Sequence, residues 1–320
     1  MSAPAIRTSR SVIDSPLMRP HRGWSGKLRW HLNARLTRRL RLLDAVGARL
    51  TLIDAYGAPG DTLLTAIVCR NLHRRYPRLR LNLVTPNAEL VKHDPAIHTL
   101  NEREGFFSVW SWYPELAGRR DGQTNVLRET FERLGWGSAS YDYRARVYLA
   151  PEEKLKGRAL LGATKRPIVA FNTRSKEVVK NWPVDAWREA LAALRERYEL
   201  VHLGESSEPV MDGTQRFAGR LSMRESMSVL SHAHVHVGPD SFLMHAANGL
   251  DVPAVIIFGG SRTPANLGYS ENINLFTELP CSSCWLHSSC GEVCPHDLLC
   301  MQRIVPAEVV AAVERLIAPI

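Results

Sequence analysis

The sequence predicts an α/β protein built of two nucleotide-fold lobes that face one another across a cleft. Three observations predict it. Apolar runs of strand length alternate with stretches of helical period in residues 49–135, and the alternation resumes at 168 and runs to 258. In each half one strand gives way to a helix through a short turn carrying glycine and aspartate, Gly60-Asp61-Thr62 in the first and Gly238-Pro239-Asp240-Ser241 in the second. With 320 residues, 45% of them hydrophobic, the chain is long enough to bury a core in each half.

The elements follow in order. Residues 1–48 form a basic arm: positions 1–49 hold 11 Lys/Arg against 2 Asp, and the remaining 271 residues balance at 30 of each sign. The net charge of +9 therefore belongs to residues 1–49, the arm together with Arg49. Leu28, Leu32, Leu36, Leu40 and Leu43 recur there at helical spacing among arginines. Such a helix suits either an anionic membrane surface, giving a peripheral contact, or packing on the body with its arginines in water. Trp24 and Trp30 come with no nucleic-acid-binding motif, so no nucleic-acid partner is expected. No apolar run reaches the roughly 18 residues of a membrane span, and the first residues lack the apolar core of a secretory signal. A cytoplasmic protein, with a peripheral position on the inner face of the membrane as a variant, is the expectation.

Residues 49–160 form the first lobe. A strand at 49–55, a helix at 62–76, a strand at 79–85, a short strand after the turn at 94–97 and a helix at 126–135 are expected. The stretch 101–125, with Gly105, Phe106, Phe107, Trp110, Trp112 and Tyr113, either lines an acceptor pocket or caps the first core. Residues 140–166 join the lobes, with a short helix at 155–161 and linker composition at 162–167. The second lobe, 161–320, begins with a strand at 168–172, a helix at 184–198 and a strand at 200–203. A helix at 223–231, a strand at 234–237, a helix at 242–250 and a strand at 254–258 follow. A cysteine-rich segment at 281–300 interrupts the rhythm before a last helix from Pro306 to about Leu316.

Asp61 stands at a helix start, where it either caps free N–H groups or serves as a carboxylate general base at the mouth of the cleft. At the second junction, Ser241 and the backbone N–H groups of the following helix can receive a pyrophosphate, and Asp240 caps the helix or binds a sugar hydroxyl. His245 lies one turn further along the same face and is either a core histidine or part of the site. Lys180 can reach a phosphate, and Thr173 follows the strand at 168–172, placing both among the donor-binding candidates. Glu205 and Glu208 end a strand where carboxylates hold ribose hydroxyls, and the sequence does not separate them. Cys281, Cys284, Cys294 and Cys300 have the composition of a tetrahedral thiolate site, with Cys290 as the alternate. Iron or zinc suits such soft ligands, and four thiolates leave no open position, so the expected role is structural.

Taken together, these residues resemble glycosyltransferase family 9, the ADP-heptose:lipopolysaccharide heptosyltransferases. Gly60-Asp61-Thr62-Leu63-Leu64-Thr65, Lys180-Asn181-Trp182-Pro183 and Gly238-Pro239-Asp240-Ser241 with His245-Ala246-Ala247 carry the resemblance, with Val255–Gly259 and the pattern at 300–309 completing it. The resemblance implies the GT-B fold, an acceptor-binding first lobe, a donor-binding second lobe and a last helix returning towards the first lobe. It also implies inverting transfer of a sugar, usually heptose from ADP-heptose, to a lipopolysaccharide, glycan or protein acceptor without a catalytic metal. Asp61 then matches the base, Lys180 the phosphate-binding lysine, and Asp240, Ser241 and His245 the donor motif. The related autotransporter heptosyltransferases are similar in carrying an iron-bound cysteine motif. Phe242, where the family commonly has glycine, is a departure. It keeps a second expectation open: a non-catalytic sugar-nucleotide or metal-responsive binding protein on a degenerate transferase scaffold.

Overall fold

The computed structural model describes residues 39–103, 107–111, 113–135 and 140–317. Most of the basic arm, and with it Leu28, Leu32, Leu36 and the two arm tryptophans, lies outside the described residues, as do Gly105, Phe106 and Trp112. The described end of the arm is helix α1, Leu40–Ala45, whose Leu40 and Leu43 are buried in the body. Among the described residues no helix is long and apolar enough to cross a membrane.

The first lobe runs β1 (Arg49–Asp54), α2 (Pro59–Arg75), β2 (Arg80–Val84), β3 (Thr99–Leu100), β4 (Phe107–Ser111), α3 (Pro114–Arg119) and α4 (Leu127–Arg133). Its four strands are parallel in the order β3-β2-β1-β4. The helix expected from Thr62 begins at Pro59, because proline at the first helical turn gives up no hydrogen bond and brings a preset φ. Strand β4 has no strand signal in the sequence: Phe107-Ser108-Val109-Trp110-Ser111 neither alternates strictly nor makes a continuous apolar run within its aromatic stretch.

An extended segment then crosses between the lobes. Val147 N–H donates to the Gly249 carbonyl, and Arg70 reaches the Arg144 carbonyl from the first lobe. Helix α5 (Pro151–Leu161), which a boundary at 160/161 assigns to the first lobe, packs on the helix Met223–Leu230 of the second. The second lobe comprises β5 (Ile168–Phe171), α6 (Val184–Leu194), β6 (Glu199–His202), β7 (Gln215–Arg216), α7 (Met223–Leu230), β8 (Val235–Pro239), α8 (Phe242–Gly249) and β9 (Ala254–Phe258). It closes with α9 (Pro264–Leu267), β10 (Ile273–Phe276), α10 (Leu299–Gln302) and α11 (Pro306–Ile317). All six strands are parallel in the order β10-β9-β8-β5-β6-β7. Strands buried on both faces read as continuous apolar runs, as Ala254–Phe258 shows. The last helix packs on α6 and on the outer face of its own sheet, not towards the first lobe.

Each sheet has a point where the strand order reverses, and there the loops leave in opposite directions and open a crevice. In the first lobe it lies between β1 and β4, in the second between β5 and β8. One apolar cluster runs unbroken from Leu50 and Leu52 through Leu63 to Leu243, Met244 and Ile256, so the lobes share a core under these crevices.

Gly157 lets α5 approach α7 closely. A Cβ there would fall 2.5 Å from the Ser228 backbone. Alanine favours a helix over glycine by about 1 kcal/mol, but overpacking against backbone costs about 1–3 kcal/mol. We expect Gly157→Ala to lower the midpoint of thermal unfolding, and an unchanged or raised midpoint would show that α5 and α7 can separate freely.

Candidate active site at the seam of the two lobes

The first crevice is organised by Asp54. Its carboxylate accepts hydrogen bonds from Gly57 N–H at 3.0 Å, Thr62 Oγ1 at 2.6 Å and Thr85 Oγ1 at 2.9 Å. These fasten the turn that starts α2. Asp61 is in the first turn of α2, yet the N-cap is Ala58 and no side chain caps this helix. Asp61 Oδ1 instead accepts a 2.8 Å hydrogen bond from the Tyr113 hydroxyl, which crosses from the β4 side of the crevice. The Tyr113 backbone N–H donates to Tyr56 Oη at 3.2 Å, and the two rings lie 4.7 Å apart. Burial pushes the Asp61 carboxyl up to about 7, and the nearby Asp54 adds to the rise; Tyr113, Arg262 and Lys180 oppose it. A carboxyl poised there is half ionised at neutral pH, the condition for a general base.

The second crevice supplies charge of the other sign. Lys180 ends a short 3-10 turn, and its Nζ lies 2.6 Å from Asp240 Oδ2. Burial alone would raise the Asp240 carboxyl, but Lys180 and Arg262 outweigh it and hold the group below the usual carboxylate range. Burial lowers the Lys180 ammonium, with Asp240 opposing. Ser241 is the N-cap of α8 but makes no capping bond, so its hydroxyl is not spent on the first N–H groups of α8. Asn172 Nδ2 approaches Ser241 Oγ at 3.5 Å.

The lobes meet where Gly60 faces His245. A Cβ on Gly60 would stand 3.0 Å from His245 Cδ2 and 3.3 Å from Nε2. His245 Nδ1 pairs with the Tyr269 hydroxyl at 2.8 Å, and burial pushes its pKa down to about 4, so the ring is neutral at pH 7. His245 is thus a buried residue of the seam with its outer ring edge towards the start of α2. Phe242, one turn earlier, packs on the shared core.

Asp61, Lys180, Asp240, Ser241 and His245 are therefore brought together. Thr173 and Glu208 are not open to the crevice: both are buried, and Glu208 Oε2 accepts from Thr173 N–H at 2.6 Å, Thr173 Oγ1 at 2.7 Å and His202 Nε2 at 3.0 Å. Glu205 is exposed. This separates the two glutamates, Glu208 into a closed hydrogen-bond group and Glu205 to solvent. Arg262 and Asp54 were missed. Asp54 is the last residue of β1, inside a run that reads as strand, and Arg262 follows β9 in the turn Gly259-Gly260-Ser261-Arg262, whose glycines are the signal that could have found it.

The cysteine segment lies beside this site. Cys281, Cys294 and Cys300 all raise the Cys284 thiol, after burial, and Cys281 and Cys294 do the same to Cys300. The four are thus neighbours, while Cys290 is exposed. Gly260 N–H donates to Cys300 Sγ at 3.1 Å, and Ser283 and Trp285 flank Cys284 with φ of 63° and 53°, the left-handed backbone of a tight knuckle. Soft donors backed by N–H groups fit a thiophilic metal. Among the described residues no three His, Cys, Asp or Glu side chains converge at ligating geometry.

Two parallel-sheet lobes with paired crevices and opposed charges define a glycosyltransferase architecture of the GT-B type. The family model described as glycosyltransferase family 9 (heptosyltransferase) matches residues 131–290, half of the chain, and the chain belongs to that family. Lipopolysaccharide heptosyltransferase 1 of Pseudomonas aeruginosa is 28% identical over 178 residues, 48% of this chain and 49% of that protein. The chain thus spans about half the length of this curated relative in the match. The iron-containing dodecameric glycosyltransferase TibC of enterotoxigenic E. coli superposes with a TM-score of 0.66 at 21% identity, covering 84% of this chain and 75% of that one. A family 9 glycosyl transferase from Veillonella parvula gives 0.62 at 13%, covering 84% and 97%, and E. coli ADP-heptose lipopolysaccharide heptosyltransferase II gives 0.56 at 15%, covering 84% and 98%. At these identities the structures share the fold.

The Tyr113 hydrogen bond favours the ionised form of Asp61, so its loss raises the carboxyl pKa. A carboxylate-selective NMR titration is expected to place Asp61 near 7 in the wild type and higher in Tyr113→Phe. A midpoint near 4, or one that Tyr113→Phe leaves in place, would contradict the burial and hydrogen bonding described.

Proposed function

We propose that the protein is an inverting glycosyltransferase that moves a sugar, heptose from ADP-heptose in the favoured case, to a hydroxyl of a lipopolysaccharide, glycan or protein acceptor. The observation that carries the reading is the Asp61 carboxylate, aligned by Tyr113 and facing the Lys180–Asp240 pair across the seam. Family membership supports it.

In this mechanism Asp61 takes the proton of the acceptor hydroxyl as that oxygen attacks the anomeric carbon. The bond from this carbon to the phosphate oxygen breaks on the opposite face, which inverts the configuration. The bonding pair stays with the departing nucleoside diphosphate. Lys180, the Ser241 hydroxyl and the N-terminal N–H groups of α8 meet that charge, so no metal is needed for the step. Asp240 holds Lys180 and is free to take a sugar hydroxyl. A binding-only scaffold is the other reading, and slow hydrolysis of the donor in the absence of acceptor would argue against it.

The cysteine site is assigned a structural iron or zinc held by Cys281, Cys284, Cys294 and Cys300, with Cys290 outside the set. When bound, the metal crosslinks the segment that carries these thiols and takes no part in the transfer. A peripheral membrane contact through the basic arm and a cytoplasmic location complete the reading.

Two outcomes are expected. In Asp61→Asn, calorimetric titration with ADP-heptose should give a dissociation constant near that of the wild type, while transfer falls by roughly 10²–10⁴. Retained transfer would remove Asp61 as the base; lost binding would make it a donor ligand. In the second, Cys284→Ser should empty the protein of metal by elemental analysis and lower its melting temperature, with Cys290→Ser unchanged in both. A wild-type protein that purifies without iron or zinc, and melts alike with and without chelator, would refute the assignment.

A further inference from the structure

Arg262 is a buried cation without a counter-ion. It is 6% exposed, and among the described residues no carboxylate lies within ion-pair distance. Its contacts are Ser261 Oγ at 3.2 Å, the His287 ring nitrogens at 3.3 and 3.4 Å, and the face of Trp285, whose centroid is 5.0 Å from the guanidinium carbon. None of these neutralises a charge. Leaving a guanidinium buried and unpaired is costly, so its retention calls for an anion that arrives later.

Its position says which anion. Arg262 follows β9, and Ser241 follows β8; these strands are adjacent and parallel, so both loops leave the same end of the sheet side by side. Its charge is felt by Asp61, Lys180 and Asp240 alike. Lys180 is already paired with Asp240. A leaving nucleoside diphosphate carries more negative charge than a lysine so paired can balance. An arginine fork suits phosphate oxygens, taking two at once where lysine acts as a point charge.

We propose that Arg262 is a donor-binding residue that grips the diphosphate of the nucleotide sugar opposite Lys180, pre-aligned by Trp285 and His287 of the cysteine segment. This rests on the transferase reading above and adds to it the second cation of the donor site. The stacking on Trp285 and the His287 contact fix the plane of the guanidinium before the donor arrives, so less order is lost on binding.

The test is calorimetric titration of the full chain with ADP and with adenosine, repeated with UDP and uridine and with GDP and guanosine. Wild type should bind one diphosphate more tightly than its nucleoside. Arg262→Gln should weaken the diphosphate by roughly 10- to 100-fold, the scale of a lost charge-assisted pair, and leave the nucleoside unchanged. Equal weakening of both would show a structural role and overturn the proposal. Unchanged diphosphate binding would also overturn it, with the donor reading left standing. A wild type that binds no diphosphate would remove the donor reading itself. Should Arg262→Gln not fold, Arg262→Lys carries the test: it keeps the charge and gives up the fork. It should lose about threefold to tenfold of diphosphate affinity with the nucleoside unaffected, and a wild-type value for the diphosphate would again refute the proposal.

Discussion

The arrangement depends on one close approach, the start of helix α2 against helix α8 at Gly60 and His245. Any larger residue at 60 would press on the imidazole, whose Cδ2 lies 3.0 Å from where a Cβ would stand. The imidazole cannot retreat, because Nδ1 is tied to the Tyr269 hydroxyl and Tyr269 is itself stacked on Tyr143 at 4.9 Å. With no side chain at 60, the N-terminal ends of two helices from different lobes meet. Asp61 is the next residue, so the distance between the proposed base and the Lys180–Asp240 pair follows from this contact.

The electrostatics of the seam run against stability. Asp61 has a carboxyl raised by burial and by Asp54, so ionising it becomes progressively less favourable to the folded state between its ordinary pKa and about 7. Burial likewise disfavours the Lys180 ammonium, and Arg262 is buried beside it without a carboxylate within ion-pair distance among the described residues. What offsets this is apolar: ten parallel strands in two sheets among the described residues, and a shared cluster in which Leu50, Leu52, Ile256 and Met244 have no appreciable exposure. The proposed donor diphosphate would bring the negative charge that Arg262, beside the Lys180–Asp240 pair, lacks among the described residues.

The parts of the fold that could be read from sequence were those where one local signal decides. Continuous apolar runs marked β5 and β9, and proline marked the start of α11 at Pro306. Strand β10, Ile-Asn-Leu-Phe, is half-buried throughout and has too short a run to stand out beside the cysteines. The site divided in the same way. Asp61, Asp240 and Arg262 all sit in turns whose glycines and prolines announce a strand-to-helix junction, but that the Arg262 turn lies beside the Asp240 turn is known only once β8 and β9 are seen to be neighbours. The difference between Glu205 and Glu208 is a tertiary fact: Glu208 pairs with Thr173, which follows the neighbouring strand β5, and with His202 at the end of β6, while Glu205 is exposed.

The cysteine segment shows why a site read as structural bears on the chemistry. It is not an appendage to the second lobe. Trp285 Nε1 donates to the Asp121 carbonyl of the first lobe at 3.2 Å, Gly122 lies against Ser283, and the Trp285 ring comes within 6.1 Å of the Tyr113 ring that holds Asp61. From its other side, Ser288 and Ser289 donate to Glu177 at 2.9 and 2.6 Å, three residues before Lys180. The same segment stacks on Arg262. One loop therefore braces Tyr113, the turn that carries Lys180, and Arg262 at once. A crosslink through its four thiols would restrict all three together, so the rigidity it would supply would act across the seam and not only within the loop.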